Sequence, residues 1–494
     1  MSAGADPWAR RLLWLLAVLS VARLGFAWAV DLCPDEAYYW AWAQQLAAGY
    51  HDHPPAVAWL VRAGTALLGD NELGVRLAAV LCGALAVWLV FVMTRRLTGR
   101  PRRAFWVALL AAGAPILAAG SVIHTPDAAL MAAWALAAWF ALRAFECDRR
   151  LDWIGLGAAV GLAVLAKASG LLLVAGLGLF ALSCRAGRMR LRGSGPALGL
   201  LAAALVAAPN LVWELRHAGG ALAFQLDHVT GDAQLRPLGP LEFIGGQLGV
   251  VSPLLWAGLV VFLVAGWRSR VRSGRSEAYL LWCLSAPLVG LVAGLSLLGR
   301  VEANWPAVAY LAAAPGMAWA LGGGIGYLRR RRLWTGLALG LAWVPTLLLH
   351  LQALLQVLPL APEIDPTTRL RGWQRLAERA ASAADALDAE LAAEGYGPTS
   401  ELRFYSGRPV RYWPSSSRRS QYDRQPRRPL PERLLFLQPR STLGPPAPCR
   451  GTAERWLLLR PPDAHRPDRS GDFAWWVCSG LEPAAAAAGA DDAT

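Results

Sequence analysis

The stretch over residues 31–62 concentrates side chains that can do chemistry. It holds four carboxylates and two histidines in close succession: Asp31, Asp35, Glu36, His51, Asp52 and His53. An apolar run long enough to cross a bilayer comes directly before it, which puts these groups at the membrane edge. Carboxylates and imidazoles held there suit proton abstraction or metal binding beside a lipid-borne substrate. The alternative is an ordinary polar loop between two helices.

Two pairs of polar residues stand out within this stretch. Asp35 and Glu36 follow the first apolar run, and a carboxylate fixed there could accept a proton from a hydroxyl that attacks a sugar. Asp52 and His53 precede two prolines, which stiffen the entry into residues 56–68. This last run is amphipathic and predicts an interfacial helix.

Further candidate groups occur at the ends of later apolar runs. His124 and Asp127 lie at a tight turn between two such runs, where Asp127 either does chemistry or caps the following helix. Lys167, the only lysine in the chain, is either a snorkelling anchor or a ligand for phosphate. A later loop adds three polar candidates: Arg300, Glu302 and Asn304.

Membrane-spanning segments must position these groups. Of the 494 residues, 55% are hydrophobic and only 17% charged, and the mean hydropathy is +0.36, which indicates a polytopic membrane protein. Hydropathy predicts about eleven spans, at about residues 12–30, 74–93, 104–122, 127–145, 153–166, 170–184, 196–213, 248–267, 278–298, 306–326 and 333–354. A cleaved signal peptide is the alternative for the first.

Arginines cluster in every second loop between the spans. These loops, with Arg10 and Arg11, are cytoplasmic by the positive-inside rule, and they cover residues 95–103, 143–150, 185–192, 268–275 and 329–332. The acidic and histidine-bearing loops then face the periplasm of a bacterial inner membrane. An odd number of spans places the region after Pro359 there as well.

The net charge of +14 does not indicate nucleic-acid binding, because the arginines lie in short runs between apolar segments. The chain has neither a GxGxxG motif nor a Walker-type loop. A cytoplasmic enzyme that uses nucleotides is therefore poorly supported.

The composition divides the chain into a transmembrane domain over 1–358, a soluble α/β periplasmic domain over 359–482 and a disordered tail over 483–494. In the soluble domain, helical spacing predicts a helix over 371–394. Short β-rich runs predict strands at 401–405, 410–413, 434–437, 456–459 and 475–478. Cys449 and Cys478 could form a disulfide in an oxidising compartment.

Together these pieces resemble the bacterial members of the protein O-mannosyltransferase superfamily, the GT-C glycosyltransferases. The resemblance is closest to the branch with an RgtA/B/C/D-like domain, related to the aminoarabinose transferases that modify lipid A. The matching motifs run in family order: DEAYYWAWAQQLAAGYHDHPP at 35–55, GVRL at 74–77, TPDAAL at 125–130, LAKASGLLL at 165–173, PNLVWELRH at 209–217, FQLDHV at 224–229, FIGGQ at 243–247, EANWPAVAYL at 302–311 and RGWQRLAE at 371–378.

The resemblance implies the GT-C fold and an undecaprenyl-phosphate sugar donor, with transfer to a hydroxyl of lipid A, a glycan or a protein on the outer face. Asp35 matches the family's base for an inverting displacement, and Glu36 would support it. Asp127 matches a second acidic motif, and His53 matches a histidine near the donor phosphate. Further candidates for substrate contacts are Asp52, Lys167, Arg300, Glu302 and Asn304.

The sequence leaves open whether a metal ion is bound, and it allows two other functions. Ligands for a divalent metal are offered by Asp35, His51, Asp52, His53 and Asp127, although loop histidines are more often hydrogen-bonding residues. A transporter or flippase of lipid-linked sugars is the main alternative, and it would be favoured by ionisable residues buried in mid-span. A noncatalytic membrane scaffold is the second alternative function.

Overall fold

The computed structural model describes residues 6–217, 220, 234–271, 276–323, 331–414, 419–426, 429–440, 453–456 and 473–479. Contacts divide the chain into two compact units. The first, here the membrane unit, comprises Met1–Ala27 and Leu46–Leu351. The second, here the sheet unit, comprises Trp28–Gln45 and Gln352–Thr494.

The membrane unit is built from helices. Their bounds are Pro7–Ala29, Ala56–Leu68, Glu72–Thr98, Pro101–Gly113, Pro115–Ala119, Pro126–Cys147, Arg150–Ala166, Leu171–Ser183, Arg185–Arg190, Gly195–Arg216, Gly239–Val250, Pro253–Arg268, Ser276–Cys283, Ala286–Leu295, Ala309–Gly323 and Arg331–Leu355. Within the described residues, six segments are long and apolar enough to cross a membrane, or seven with one bent pair counted as a span. The chain is thus a multi-pass membrane protein.

Each predicted span coincides with a helix or with a pair of helices separated by a break. Ala114 is extended ahead of Pro115 and interrupts the third predicted span, as expected for a residue that precedes proline. Ser252 has a φ of 116° between two helices bent by 118°. Because several of these helices are shorter than a bilayer requires, the count of about eleven spans stays a prediction.

Close packing of small residues brings neighbouring helices together. A Cβ atom on Gly157 would collide with the backbone carbonyl of Gly199 on the Gly195–Arg216 helix. Glycine at this position therefore lets the two helices approach closely. The residues predicted to form an interfacial helix do form a helix, Ala56–Leu68, which begins after the two prolines; its place at the membrane interface stays a prediction.

The sheet unit contains five strands: β1 Glu390–Glu394, β2 Arg411–Trp413, β3 Arg433–Pro439, β4 Ala453–Trp456 and β5 Phe473–Ser479. Their order is β2-β1-β3-β5-β4. Strand β1 is parallel to β2 and β3, whereas β5 is antiparallel to β3 and β4. The helices Trp373–Leu387 and Tyr396–Ser406 complete this α/β unit, and the segment 28–45 contributes the helix Pro34–Ala43.

Two secondary-structure predictions for this unit were wrong. The predicted helix over 371–394 ends at Leu387, because Asp388 turns into the left-handed region with φ 50° and residues 390–394 then form β1. Residues 401–405, predicted as a strand, belong to the helix Tyr396–Ser406. A short run with alternating apolar residues fits either period, and here packing against the helix Pro34–Ala43 selects the helix.

Other predictions for the chain's last third lie partly outside the described residues. Cys478 is disulfide-bonded, and its predicted partner Cys449 lies outside the described residues. The tail over 483–494 lies outside them as well. The domain boundary at 358 stays a prediction.

Candidate active site

Asp127 is the centre of a polar cluster in the membrane unit. It lies in the first turn of the helix Pro126–Cys147. Lys167 Nζ lies 2.8 Å from Asp127 Oδ1, and Asn304 Nδ2 donates to Oδ2 at 2.9 Å. The side chains of Asp127 and Lys167 are 15% and 17% exposed. Three residues that the sequence singled out separately therefore form one site.

The alternative role of Asp127, capping its own helix, is not what the structure shows. Thr125 occupies the N-cap position, and no side chain makes a capping hydrogen bond there. Both oxygens of Asp127 are instead engaged by residues distant in the chain. Asp127 thus does not cap its own helix through a side-chain hydrogen bond.

Lys167 reaches Asp127 because two helices break around it. The helix Arg150–Ala166 ends one residue earlier, and Lys167 has an extended backbone, with φ −159° and ψ 144°. Gly170 closes a single 3-10 turn, where a Cβ atom would collide with the carbonyl of Ala163. Glycine at this position allows the tight turn that points the chain into the next helix.

Asn304 is positioned by Gln247, a residue that no charge or catalytic motif marks in the sequence. Gln247, fully buried on the helix Gly239–Val250, donates to the carbonyl of Ala303 at 3.0 Å. Tyr310 donates to Gln247 Oε1 at 2.9 Å. The only sequence signal was an amide within the apolar FIGGQ motif. Gln247 therefore anchors the loop that carries Asn304.

The loop that carries Asn304 also carries the other two candidate residues, and these face solvent. Arg300 and Glu302 are both exposed. In the part of the chain that the structure describes, neither makes an ion pair with the Asp127 cluster. Any contact they make with a substrate stays a prediction.

Asp52 and His53 lie in a loop of the membrane unit that is fixed by its neighbours. Asp52 is buried, with 1% exposed surface. The backbone N–H of Tyr50 donates to the carbonyl of His53 at 3.2 Å, and Asn210 donates to the carbonyl of Ala48 at 3.1 Å. Asn210 belongs to the PNLVWELRH motif, so that motif serves to hold this loop.

Asp35 belongs to the sheet unit, where two residues from the far end of the chain hold it. Tyr396 donates its hydroxyl to Asp35 Oδ1 at 2.9 Å. Arg369 Nη2 donates to Oδ2 at 3.3 Å. The Asp35 side chain remains 31% exposed. No periodicity or motif in the sequence pointed to Arg369 or Tyr396 as its partners.

Glu36 has a structural task next to Asp35. It is fully buried, and its Oε2 accepts the backbone N–H of Cys33 at 3.0 Å, which closes a capping box at the start of the helix Pro34–Ala43. Burial, together with the charges of Glu36 and Asp35, raises the pKa of Cys33 well above its usual value. The thiol is therefore protonated and a poor nucleophile.

Asp31 ties the segment 28–45 to the RGWQRLAE motif within the sheet unit. Its Oδ2 accepts the backbone N–H of Trp373 at 2.8 Å, and its own N–H donates to the carbonyl of Leu370 at 3.1 Å.

The pKa of Arg369 is lowered by burial and raised by the charge of Asp35, and the net shift is upward. The guanidinium beside Asp35 is therefore permanently charged.

Metal ligands are not gathered at either site. Among the residues described, no group of three or more His, Cys, Asp or Glu side chains is arranged to hold a metal ion. The five possible ligands named from the sequence do not form such a group there.

Comparisons with known proteins agree with this architecture. The sequence profile of the dolichyl-phosphate-mannose-protein mannosyltransferase family matches residues 52–213. The chain is 34% identical over 304 residues to the lipid A galacturonosyltransferase RgtD of Rhizobium johnstonii, which covers 59% of this chain and 61% of that protein. It is also 34% identical over 176 residues to an undecaprenyl phosphate-alpha-4-amino-4-deoxy-L-arabinose arabinosyl transferase of Pseudomonas fluorescens, covering 31% of this chain and 30% of the relative.

Solved structures extend the likeness over the whole chain. ArnT from Cupriavidus metallidurans bound to undecaprenyl phosphate matches with a TM-score of 0.66 and 18% identity, covering 99% of this chain and 100% of ArnT. The oligosaccharyltransferase of Archaeoglobus fulgidus matches with a TM-score of 0.53 and 13% identity, covering 83% and 65%. The fold is thus the GT-C fold with a small sheet-containing unit, and the chain spans less than two thirds of the length of the two curated relatives named above.

Proposed function

We propose that this protein is a membrane glycosyltransferase that moves a sugar from a polyprenyl-phosphate donor to a hydroxyl group of an acceptor. The observation that carries the proposal is the carboxylate of Asp35, which is partly exposed and held by a donor on each oxygen. The named activities of the relatives, lipid A galacturonosyl and aminoarabinose transfer, support it.

In the proposed reaction, Asp35 accepts the proton of the acceptor hydroxyl while that oxygen attacks the anomeric carbon. A new carbon–oxygen bond forms on the face opposite the donor phosphate. The bond from the anomeric carbon to the phosphate oxygen breaks, and its electron pair leaves with polyprenyl phosphate. The stereochemistry at the anomeric carbon is inverted.

A cation is needed where negative charge develops on the leaving phosphate. Lys167 is the candidate in the membrane unit, and Arg300 and His53 are further candidates. Lys167 carries three N–H donors, and one of them is used by Asp127. The other two can therefore bind a phosphate oxygen without breaking that pair. Asn304, Asp52 and Glu302 are proposed to contact the sugar.

The acceptor is proposed to be lipid A, with a glycan or a protein as alternatives. RgtD is named as a lipid A galacturonosyltransferase, and an acceptor embedded in a membrane suits a multi-pass protein. The arginine-rich loops support an active site on the periplasmic face of the bacterial inner membrane.

The test uses the full chain in liposomes with a radiolabelled undecaprenyl-phosphate sugar, galacturonic acid or aminoarabinose, and an envelope extract as acceptor source. We expect Asp35→Asn to lower transfer by about a hundredfold or more, the usual size of a general-base effect. Asp385→Asn is the matched control, because this exposed carboxylate of the sheet unit pairs with Arg408 in a surface contact.

Three results would contradict the proposal. Equal transfer by the wild type and Asp35→Asn would remove Asp35 as the base. A similar loss in Asp385→Asn would point to general damage to the sheet unit. Movement of the lipid-linked sugar across the bilayer, with no label in any acceptor, would favour a flippase.

A further inference from the structure

An apolar cavity of about 220 Å³ lies in the membrane unit, and its lining includes none of the residues of the Asp127 cluster. Its walls come from three helices, Arg150–Ala166, Leu171–Ser183 and Gly195–Arg216, with Phe145 and Leu191 at one end. Along the first helix the lining runs from residue 153 to 160, about 10 Å at 1.5 Å per residue. Lys167 follows the opposite end of that helix.

The cavity opens at an exposed apolar surface of the membrane unit. Three lining side chains are strongly exposed: Leu200 by 69%, Val174 by 48% and Leu191 by 45%. A Cβ atom on Gly178, another lining residue, would meet nothing within 4 Å. In a bilayer this space is filled by hydrocarbon, and a depth of about 10 Å fits part of one chain in a core of about 30 Å.

Exposed arginines lie close in the chain to the residues at one end of the cavity. The acids at this end are each neutralised by an arginine: Glu146 by Arg96, Asp148 by Arg190 and Asp152 by Arg143. Five exposed arginines lie within four positions in the chain of a lining residue and form no ion pair with any residue that the structure describes: Arg149, Arg150, Arg185, Arg188 and Arg192. The chain segments that border this end of the cavity therefore carry an excess of positive charge.

We propose that this cavity binds one acyl chain of an anionic phospholipid, whose phosphate lies among these arginines. An apolar slot with a cationic rim matches the two chemical parts of such a lipid. The zwitterionic phospholipids of the same bilayer offer the same chains without the net charge. The positive charge at this end of the cavity therefore selects the anionic class.

The proposal can be tested by native mass spectrometry of the full chain in detergent, with added phosphatidylglycerol or phosphatidylethanolamine of identical acyl chains. We expect the wild type to retain phosphatidylglycerol severalfold better. Gly178→Leu fills the cavity and should lose most of the bound lipid. Gly290→Leu is the matched control, because its Cβ also meets nothing within 4 Å and it does not line the cavity.

Two further variants keep the test decisive. Leu200→Trp blocks the opening where the parent side chain is already 69% exposed, so it should lose the lipid even where Gly178→Leu folds poorly. Arg185→Gln with Arg192→Gln should make the two lipids bind alike. The proposal is overturned by unchanged lipid retention in folded Gly178→Leu and Leu200→Trp, by equal retention of both lipids in the wild type, or by displacement of phosphatidylglycerol by added undecaprenyl phosphate.

Discussion

At the scale of single residues, the two candidate carboxylates share one feature. Asp127 and Asp35 each accept one hydrogen bond on each oxygen, from Lys167 and Asn304 in one unit and from Tyr396 and Arg369 in the other. A carboxylate has about four acceptor positions. Each therefore keeps free positions for a substrate while its orientation is fixed.

Tyr396 is expected to act as a positioning residue for Asp35. Tyr396→Phe removes one hydrogen bond to the carboxylate and should lower kcat by roughly tenfold, the effect of about 1 to 2 kcal/mol. The KM for the donor should change little. The control is Tyr412→Phe, which removes a similar hydroxyl bonded to Asp423 at 2.9 Å. Equal kcat in Tyr396→Phe and the wild type would show that Asp35 needs no such support.

Lys167 is expected to bind the donor phosphate. Lys167→Met removes a charge that is only 17% exposed and should weaken binding of undecaprenyl phosphate by about tenfold or more. Lys167→Arg should restore part of the binding. Isothermal titration in detergent measures this affinity.

The matched control for this prediction is an ion pair between the helices Pro126–Cys147 and Arg150–Ala166. Arg143 and Asp152 form an ion pair at 2.7 Å, and Arg143→Gln breaks it far from Lys167. This variant should lower the melting temperature but leave the affinity for undecaprenyl phosphate unchanged. Weaker binding in Arg143→Gln of the same size would mean that Lys167 acts through helix packing alone.

At the scale of elements, the helices Pro126–Cys147 and Arg150–Ala166 are joined by an ion pair at each end. Lys167 and Asp127 close one end, and Arg143 and Asp152 close the other. Polar groups at the ends of apolar helices avoid the cost of burying charge in mid-span. The candidate site thus lies where helices end and loops can bring distant residues together.

The helix Gly239–Val250 is expected to control the site through one amide. Gln247→Leu leaves the Tyr310 hydroxyl and the Ala303 carbonyl without their partner, which should destabilise the fold by about 1 to 3 kcal/mol. It should also raise the KM for the donor, because Asn304 follows Ala303. Tyr310→Phe keeps the bond from Gln247 to Ala303, so it should leave KM unchanged. A raised KM in both variants would contradict a specific role for Gln247.

At the scale of the whole molecule, the acid stability should depend on Asp365 in the sheet unit. Burial raises the pKa of this carboxyl, but hydrogen bonds from Thr367, Gln352 and Arg371 outweigh that effect and lower the pKa to about 2. The folded value lies below the unfolded one. The stabilisation is therefore complete above pH 4 and is lost as the pH falls from about 4 to about 2.

The expected size of this loss is on the order of 2 kcal/mol. Asp365→Asn should be less stable at pH 7 and should lose less stability on acidification than the wild type. Thermal unfolding followed by tryptophan fluorescence between pH 2 and 7 measures both effects. Asp388→Asn, at an exposed position with φ 50° that asparagine also tolerates, should behave as the wild type. An acid profile of Asp365→Asn parallel to that of the wild type would exclude Asp365 as the cause.

Much of the molecule follows from the sequence by itself. Membrane insertion depends on the free energy of transferring apolar runs from water into the bilayer, and this free energy is a sum over local residues. Hydropathy therefore located the apolar helices of the membrane unit. Proline and glycine also end or interrupt helices through local effects on the backbone. The motifs DEAYYW, TPDAAL and LAKASG indicated Asp35, Asp127 and Lys167 as candidate site residues, together with a resemblance to the GT-C glycosyltransferases.

Only the tertiary structure decided which groups face one another. The pairs Asp127–Asn304 and Asp35–Tyr396 join residues that are 177 and 361 positions apart, and hydrogen bonds at this separation depend on packing that no local pattern encodes. The same holds for residues 401–405, where a short run that fits two periods became a helix against its neighbour. The local free energy of such a run is nearly balanced between helix and strand, so long-range contacts determine the outcome.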